Sequence, residues 1–320
     1  MRFDDASPSP VFQTLRLVAA ALLASMLADA ASGAILYWDT NGNTAGAGAT
    51  PTGTWSTSGG TNKNWSTNSS GGSTANFTSG SDAVFSAGTD AINAYTVTLA
   101  AIQNVSSITV EEGSPTLSSA AVNFNDASPD ILVAAGSTLT FGVAPTSSST
   151  NGLNLGSATA TGTTVFSANT TLSGTVKLAG GTLRLASTSY TFGTLNVTGN
   201  STIDFAGATT LNLTTLAISA GVTLTIQNWT KASDFFYAAN WAGATQDLYT
   251  NGNTAPLNQV LFTGFTVNQT GWDSFDNQIR PNVPEARTYG AILLAALTGL
   301  FAWRRLMRRP AGHADISPDL

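Results

Sequence analysis

The sequence predicts an all-β protein whose body is a β-solenoid, flanked by an N-terminal signal helix and a C-terminal transmembrane helix. Three observations carry the prediction for the body. First, short runs alternate apolar and polar residues with no sustained helical period. Second, similar runs return at a spacing near 20: Leu183 and Ile203 are 20 residues apart, Ile203 and Leu224 are 21, and Leu195 and Leu216 are 21. Third, Gly, Asn, Ser and Thr punctuate the runs where a chain must turn. A period near 20 with two or three short strands per period is a coil that buries its inward residues against the coils above and below. A β-sandwich of short strands is the structural alternative.

The clearest runs are Thr96 to Leu99, Ile108 to Val110, Ile131 to Val133, Leu139 to Phe141, Thr175 to Leu178 and Thr182 to Leu185. Thr194 to Val197, Thr202 to Phe205, Thr210 to Leu213, Leu216 to Ile218 and Thr223 to Ile226 continue the series. Each sets apolar residues on one face and polar residues on the other. Gly180, Gly181, Gly193, Gly199 and Gly207 are expected at corners. The reading therefore divides the chain into residues 1–34, a solenoid over 35–280, and a tail over 281–320. Within the solenoid, 96–227 form the coils. Residues 35–95, with Trp38, Trp55 and Trp65, cover one end, and the aromatic-rich 228–280 cover the other, because an open ladder end would pair with other chains.

Charged residues make up 9% of the 320-residue chain, against about 25% in an ordinary soluble domain. Hydrophobic content is 42%, enough for a sizeable core and more than a disordered chain carries. With no cysteine there are no disulfides and no thiolate metal sites. The single histidine, His313, lies outside the predicted body, so the body has no histidine for a catalytic triad or a metal. No cofactor is expected. The net charge is −6, and between the ends only Lys63, Lys177, Arg184, Lys231 and Arg280 are basic. No basic patch is available for phosphates, which argues against a nucleic-acid partner.

At the N-terminus, Arg16 precedes the apolar run Leu17 to Leu27, which has the length of a signal-peptide core. Ala28-Asp29-Ala30 and Ser32-Gly33-Ala34 both meet the small-x-small rule for cleavage, and cleavage after Ala34 is the expectation. At the C-terminus, Val283-Pro284-Glu285-Ala286 leads into an apolar segment over 289–303 with Tyr289 and Trp303 at its ends. As a helix it is about 22 Å long, short against a hydrocarbon core of about 30 Å. The aromatic ends suit the membrane interface. Arg304, Arg305, Arg308 and Arg309 follow, and by the positive-inside rule they keep that end cytoplasmic.

A Pro-Glu dipeptide, a short apolar helix and a terminal arginine cluster together resemble the PEP-CTERM sorting signal, over Val283 to Arg309. The resemblance implies that an exosortase recognises Pro284 and Glu285 and removes the tail. Ala286 stands where that family has its second proline, and residues continue past the arginines. An ordinary C-terminal membrane anchor is the other reading of this segment. Gly174 to Asn200, with GGTLRLAST and GTLNVTGN, resembles the autotransporter-associated β-strand repeat. So do Trp38-Asp39, Trp55 and Asn64-Trp65 with Ala75-Asn76-Phe77 and Asp82 to Phe85. That resemblance implies a passenger-like β-helix and brings no catalytic residues with it.

Paired carboxylates are the remaining route to catalysis. The pairs are Glu111 with Glu112, Asp126 with Asp130, and Asp273 with Asp276. Adjacent residues in a strand face opposite ways, so Glu111 and Glu112 meet only in a turn, as Gly113-Ser114-Pro115 suggests. Asp126 to Asp130 also reads as a turn. Asp39-Thr40-Asn41-Gly42-Asn43 has calcium-loop spacing but lacks the glutamate that completes such a loop, and an Asn-Gly turn is the reading taken. Thr-x-Thr pairs at 96/98 and 223/225, if stacked on one face, would suit a periodic surface such as ice or a polysaccharide. Threonine is also simply a good outward strand residue.

The function expected is that of a non-enzymatic structural or matrix β-solenoid. It is exported, held transiently in the inner membrane by its tail, and sorted to the outer envelope, surface or extracellular matrix of a Gram-negative bacterium. Its partners would be an exosortase and extracellular polysaccharide. A carbohydrate- or ice-binding module on the same scaffold, with Trp241 as an exposed contact, is the alternative. A polysaccharide-degrading enzyme is the third.

Overall fold

The computed structural model describes residues 33–56, 61–148, 152–244, 255–273 and 275–281, together with 297, 298, 300, 301, 303 and 304. The chain divides into two compact units, Met1–Arg280 and Pro281–Leu320. The first contains a β-solenoid of about seven turns. Its strands form a 13-stranded and a 9-stranded sheet, and a separate two-stranded sheet of Thr270–Trp272 and Ile279–Pro281 lies near the end of the unit.

Each turn contributes three strand segments. One lies in the 9-stranded sheet, as in Thr182–Leu185 and Ser201–Phe205. The other two are halves of one longer strand in the 13-stranded sheet. Thr170–Leu178, Ser189–Val197 and Thr210–Ile218 each have nine residues and change inward face midway. In Ser189–Val197 the inward residues are Tyr190 and Phe192, then Leu195 and Val197. Earlier turns break the same path into shorter strands, such as Val122–Phe124 and Asp130–Val133.

Successive turns pair in parallel with like residues in register. Ile108 stacks on Ile131, Leu178 on Val197, Leu195 on Leu216, and Leu183 on Ile203. Rings stack likewise inside the coil: Phe124, Phe141, Phe166 and Phe192 follow one another at centroid separations of 6.3, 5.7 and 6.5 Å, all edge-to-face. A buried residue of this size contributes about 1.5–3 kcal/mol by leaving water, and each edge-to-face pair roughly 0.5–1.5 kcal/mol more. Tyr190 joins this core because its hydroxyl donates to the Phe166 carbonyl at 2.5 Å.

The runs read from sequence are strands, and the steps of 20 and 21 at Leu183–Ile203 and Leu195–Leu216 are true register steps. The third step differs. Ile203 stacks on Ile226, and Leu224 lies beside Ser201. The corner between Ile218 and Leu224 is two residues longer than that between Val197 and Ser201. Two extra residues preserve which side faces inward, so the alternation alone gives no sign of the shift. Step length varies along the chain, from 19 between Phe166 and Leu185 to 25 between Phe141 and Phe166.

The ladders also run through the two regions expected to cover the ends. Leu36 pairs beside Ala83, and Trp55 beside Leu99, with residues 39–52 between these two strands. Trp38, Trp55, Trp65, Phe77 and Phe85 fill the interior there, with Trp55 and Trp65 at 4.7 Å and Trp55 and Phe77 at 4.8 Å. The Trp38 indole donates to the Pro51 carbonyl at 2.7 Å. Asp39 accepts from the amides of Asn41 and Gly72, and Asp90 from those of Ala47 and Gly48, which pins the loops over the tryptophans. At the other end, Phe235–Trp241 adds the last strand to the 13-stranded sheet. The Ala238 amide donates to the Asn277 carbonyl, and the Trp272 indole to the Ala238 carbonyl. The outward edge of that strand is thus partly occupied.

Two glycines expected at corners differ in what they do. Gly193 lies inside a strand, at its bend, where a Cβ would stand 2.0 Å from the Ser173 carbonyl oxygen of the preceding turn. Gly207 has open space around it and no left-handed backbone. Gly193→Ala is therefore expected to lower stability by roughly 1–3 kcal/mol, the cost of a small-to-large change in a packed site. Gly207→Ala is expected to be neutral or to stabilise by up to about 1 kcal/mol. Urea denaturation of both variants checks this, and equal effects would contradict the bend geometry.

Candidate functional site

The residues expected to carry sorting belong to the second unit, Pro281–Leu320. Pro284, Glu285, Tyr289, Arg305, Arg308 and Arg309 lie outside the described residues. Trp303 and Arg304 have helical backbone and exposed side chains, as do Leu297, Thr298, Leu300 and Phe301. Among the described residues no helix is long and apolar enough to cross a membrane. Of the N-terminal segment, residues 1–32 lie outside the description. Ala34, at the expected cleavage point, is exposed, and its carbonyl accepts from the Asp82 amide at 3.0 Å.

The candidate acids hold structure. Asp126 accepts from the Ser128 amide and Asp130 from the Asn154 side chain, so this pair serves a turn and a ladder. Asp273 binds Arg280 and the Phe275 amide, while Asp276 accepts from the Gln278 amide. Glu111 and Glu112 do follow the strand Gln103–Val110 in a turn. Glu112 accepts from the Ser86 hydroxyl and the Ala91 amide, both at 3.1 Å. Burial, then the Glu112 charge, holds the nearby Tyr95 phenol well above its usual pKa. Asp39 closes an Asx turn, as the turn reading of its loop requires. Among the described residues no group of acids is placed to hold a metal ion.

The threonines are arranged differently from the expectation. Thr223 precedes the strand Leu224–Gln227 and has no place in its ladder. Thr225 does, and it continues a column that the sequence did not single out. Thr138, Thr163, Thr182, Thr202 and Thr225 occupy one register position on five successive turns. All are partly exposed. Thr96, Thr116 and Thr140 begin a second column beside it, which passes into Val165, Arg184, Asp204 and Gln227. Arg184 and Asp204 are ion-paired at 3.5 Å. Trp241, expected to be an exposed contact, is 1% exposed and packs edge-on against Trp272 at 6.1 Å. It faces inward beside Leu216 and is core.

Elsewhere on the outer surface, polar residues bond from turn to turn. Ser107 donates to Asp82 at 2.7 Å, Asn154 to Asp130 at 2.8 Å, and Asn123 to Asn104 at 2.8 Å. Phe235 and Tyr237 stand side by side on the outward face of the last strand with parallel rings 5.9 Å apart. Comparisons with family models, with curated proteins and with solved structures find no match.

Burial, and next the neighbouring Glu112 carboxylate, raise the Glu111 carboxyl above its ordinary range. The folded state then holds this proton more tightly than the unfolded chain does. Stability is full below the ordinary glutamate pKa of about 4.3 and falls as pH rises through the raised value. Glu111→Gln is expected to melt at a higher temperature than the wild type at neutral pH, with the difference vanishing below about pH 4. Melting curves across this range check it, and a difference independent of pH would contradict it.

Proposed function

We propose that this chain is an exported structural or matrix protein of the cell envelope or surface. Its solenoid is the exported body. Its C-terminal tail docks in the inner membrane through a helix over 289–303, and an exosortase acting at Pro284 and Glu285 releases it. The observation that carries the reading is the pairing of a nearly charge-free solenoid with a tail that forms a compact unit of its own from Pro281. Further support comes from the acids, which are committed to turns, ladders and caps. A surface of hydroxyls and amides suits association with extracellular polysaccharide through many weak hydrogen bonds.

One observation favours a second reading, a carbohydrate- or ice-binding module. The column from Thr138 to Thr225 sets five hydroxyl-bearing side chains at the strand spacing of roughly 4.8 Å. A repeating surface is complementary to a repeating array of this kind. The ion pair of Arg184 with Asp204 interrupts the neighbouring column, so the regular face is narrow.

Fractionation of cells expressing the wild type and a Pro284→Ala, Glu285→Ala double variant tests the first reading. The wild type is expected outside the inner membrane with a mass lacking the tail. The variant is expected in the inner membrane with the tail intact. Identical location and mass for the two would contradict sorting at this dipeptide. Saturable binding to ice or to an insoluble polysaccharide, abolished by Thr182→Glu, would move the conclusion to the second reading.

A further inference from the structure

The sequence carries two points that fit signal cleavage, after Ala30 and after Ala34. The fold distinguishes them, because it makes structural use of Gly33 and Ala34. A Cβ on Gly33 would stand 2.0 Å from the Gly80 carbonyl oxygen and 2.4 Å from the Ser81 Cα. Only glycine fits at that approach. The Ala34 carbonyl accepts from the Asp82 amide at 3.0 Å. That bond leads directly into the parallel ladder in which Ile35, Leu36 and Tyr37 lie beside Asp82, Ala83 and Val84. A cut after Ala34 would discard the close-packed glycine and leave the Asp82 amide without this acceptor.

The surroundings also suit a chain end. A cleft of about 340 Å³ is lined by Gly33, Ala34, Ser81, Asn125 and Asp126, among others, and Asp126 is the only charged group in its lining. Asp126 accepts one bond there, from the Ser128 amide to Oδ1. A chain beginning at Ala31 has its α-ammonium at most roughly 7 Å of extended backbone from Gly33. An ammonium is favoured near a carboxylate.

We infer that the signal segment is cut after Ala30, so that the mature protein begins Ala31-Ser32-Gly33-Ala34 and keeps Gly33 and Ala34 as the first residues of its solenoid. The inference rests on the export reading given above.

N-terminal sequencing tests it on the full chain exported from a Gram-negative host, with Ala30→Gln and Ala34→Gln alongside. The Ala34 side chain is exposed, so Ala34→Gln leaves packing intact. The expected wild-type start is Ala31. Ala34→Gln should give the same start, and Ala30→Gln should lose it. A start at Ile35, or cleavage blocked by Ala34→Gln and untouched by Ala30→Gln, overturns the inference and leaves export standing. A product that still carries the residues before Ala30 overturns the export reading and the inference with it.

Discussion

Successive turns of this solenoid pair in parallel register, so every outward position has a counterpart in the next turn about 4.8 Å away. Whatever stands at one position meets what stands at the equivalent position above and below. Two like charges at that distance repel by about 1 kcal/mol even in water. A column of lysines or aspartates would accumulate that penalty at each step. Hydroxyls and amides carry none, and they bond along the column, as Asn123 does to Asn104 and Thr146 to Asn123. The scarcity of charged residues follows from this constraint. Where charge does enter, its ladder neighbours are neutral or opposite: Lys177 lies between Asn154 and Asn196, and Arg184 lies beside Asp204.

Inside the coil the same register has the opposite consequence. Like apolar residues stack on like, and aliphatic columns alternate with a run of edge-to-face phenylalanines. Stacking leaves the two ends as the places where the repeat cannot complete itself. The tryptophan cluster meets that need at the N-terminal end by bulk. The indole N–H groups of Trp55 and Trp65 are buried without a hydrogen-bond partner among the described residues. An unpaired buried donor costs about 1–3 kcal/mol, which the burial of two indole rings offsets. At the C-terminal end, Trp272, Asn277 and Gln278 meet the last strand directly. A solenoid closed in this way limits edge-to-edge growth through its ladders.

Much of this architecture was legible in the sequence because the alternation is strict between Thr170 and Gln227, where turns are short and corners regular. The N-terminal turns were less legible for a physical reason. Trp55 pairs with Leu99 across an insertion of more than 40 residues, and no local period survives that. The shift at Leu224 escaped because parity hides a two-residue corner extension. Trp241 was misplaced because an aromatic residue near a chain end reads as a surface contact, whereas its ladder position beside Leu216 faces inward. The column through Thr138, Thr163, Thr182, Thr202 and Thr225 was missed because its steps vary between 19 and 25 residues, so only the register reveals it. Of the candidate site, the sorting dipeptide and tail rest on motif and composition, while the role of Gly33 came only from its distance to Gly80.

The central claim is that the turns stack in this register, and the absence of native cysteine makes it open to a clean cross-linking test. Thr202 and Thr225 are ladder partners on the outer face, at a separation compatible with a disulfide. A Thr202→Cys, Thr225→Cys variant is expected to oxidise intramolecularly and quantitatively in the folded state. A Thr202→Cys, Thr223→Cys variant, which follows the 21-residue spacing instead, is expected to remain reduced under the same conditions. Cross-linking of the second pair in preference to the first would contradict the register, and with it the columns on which the account of this surface depends.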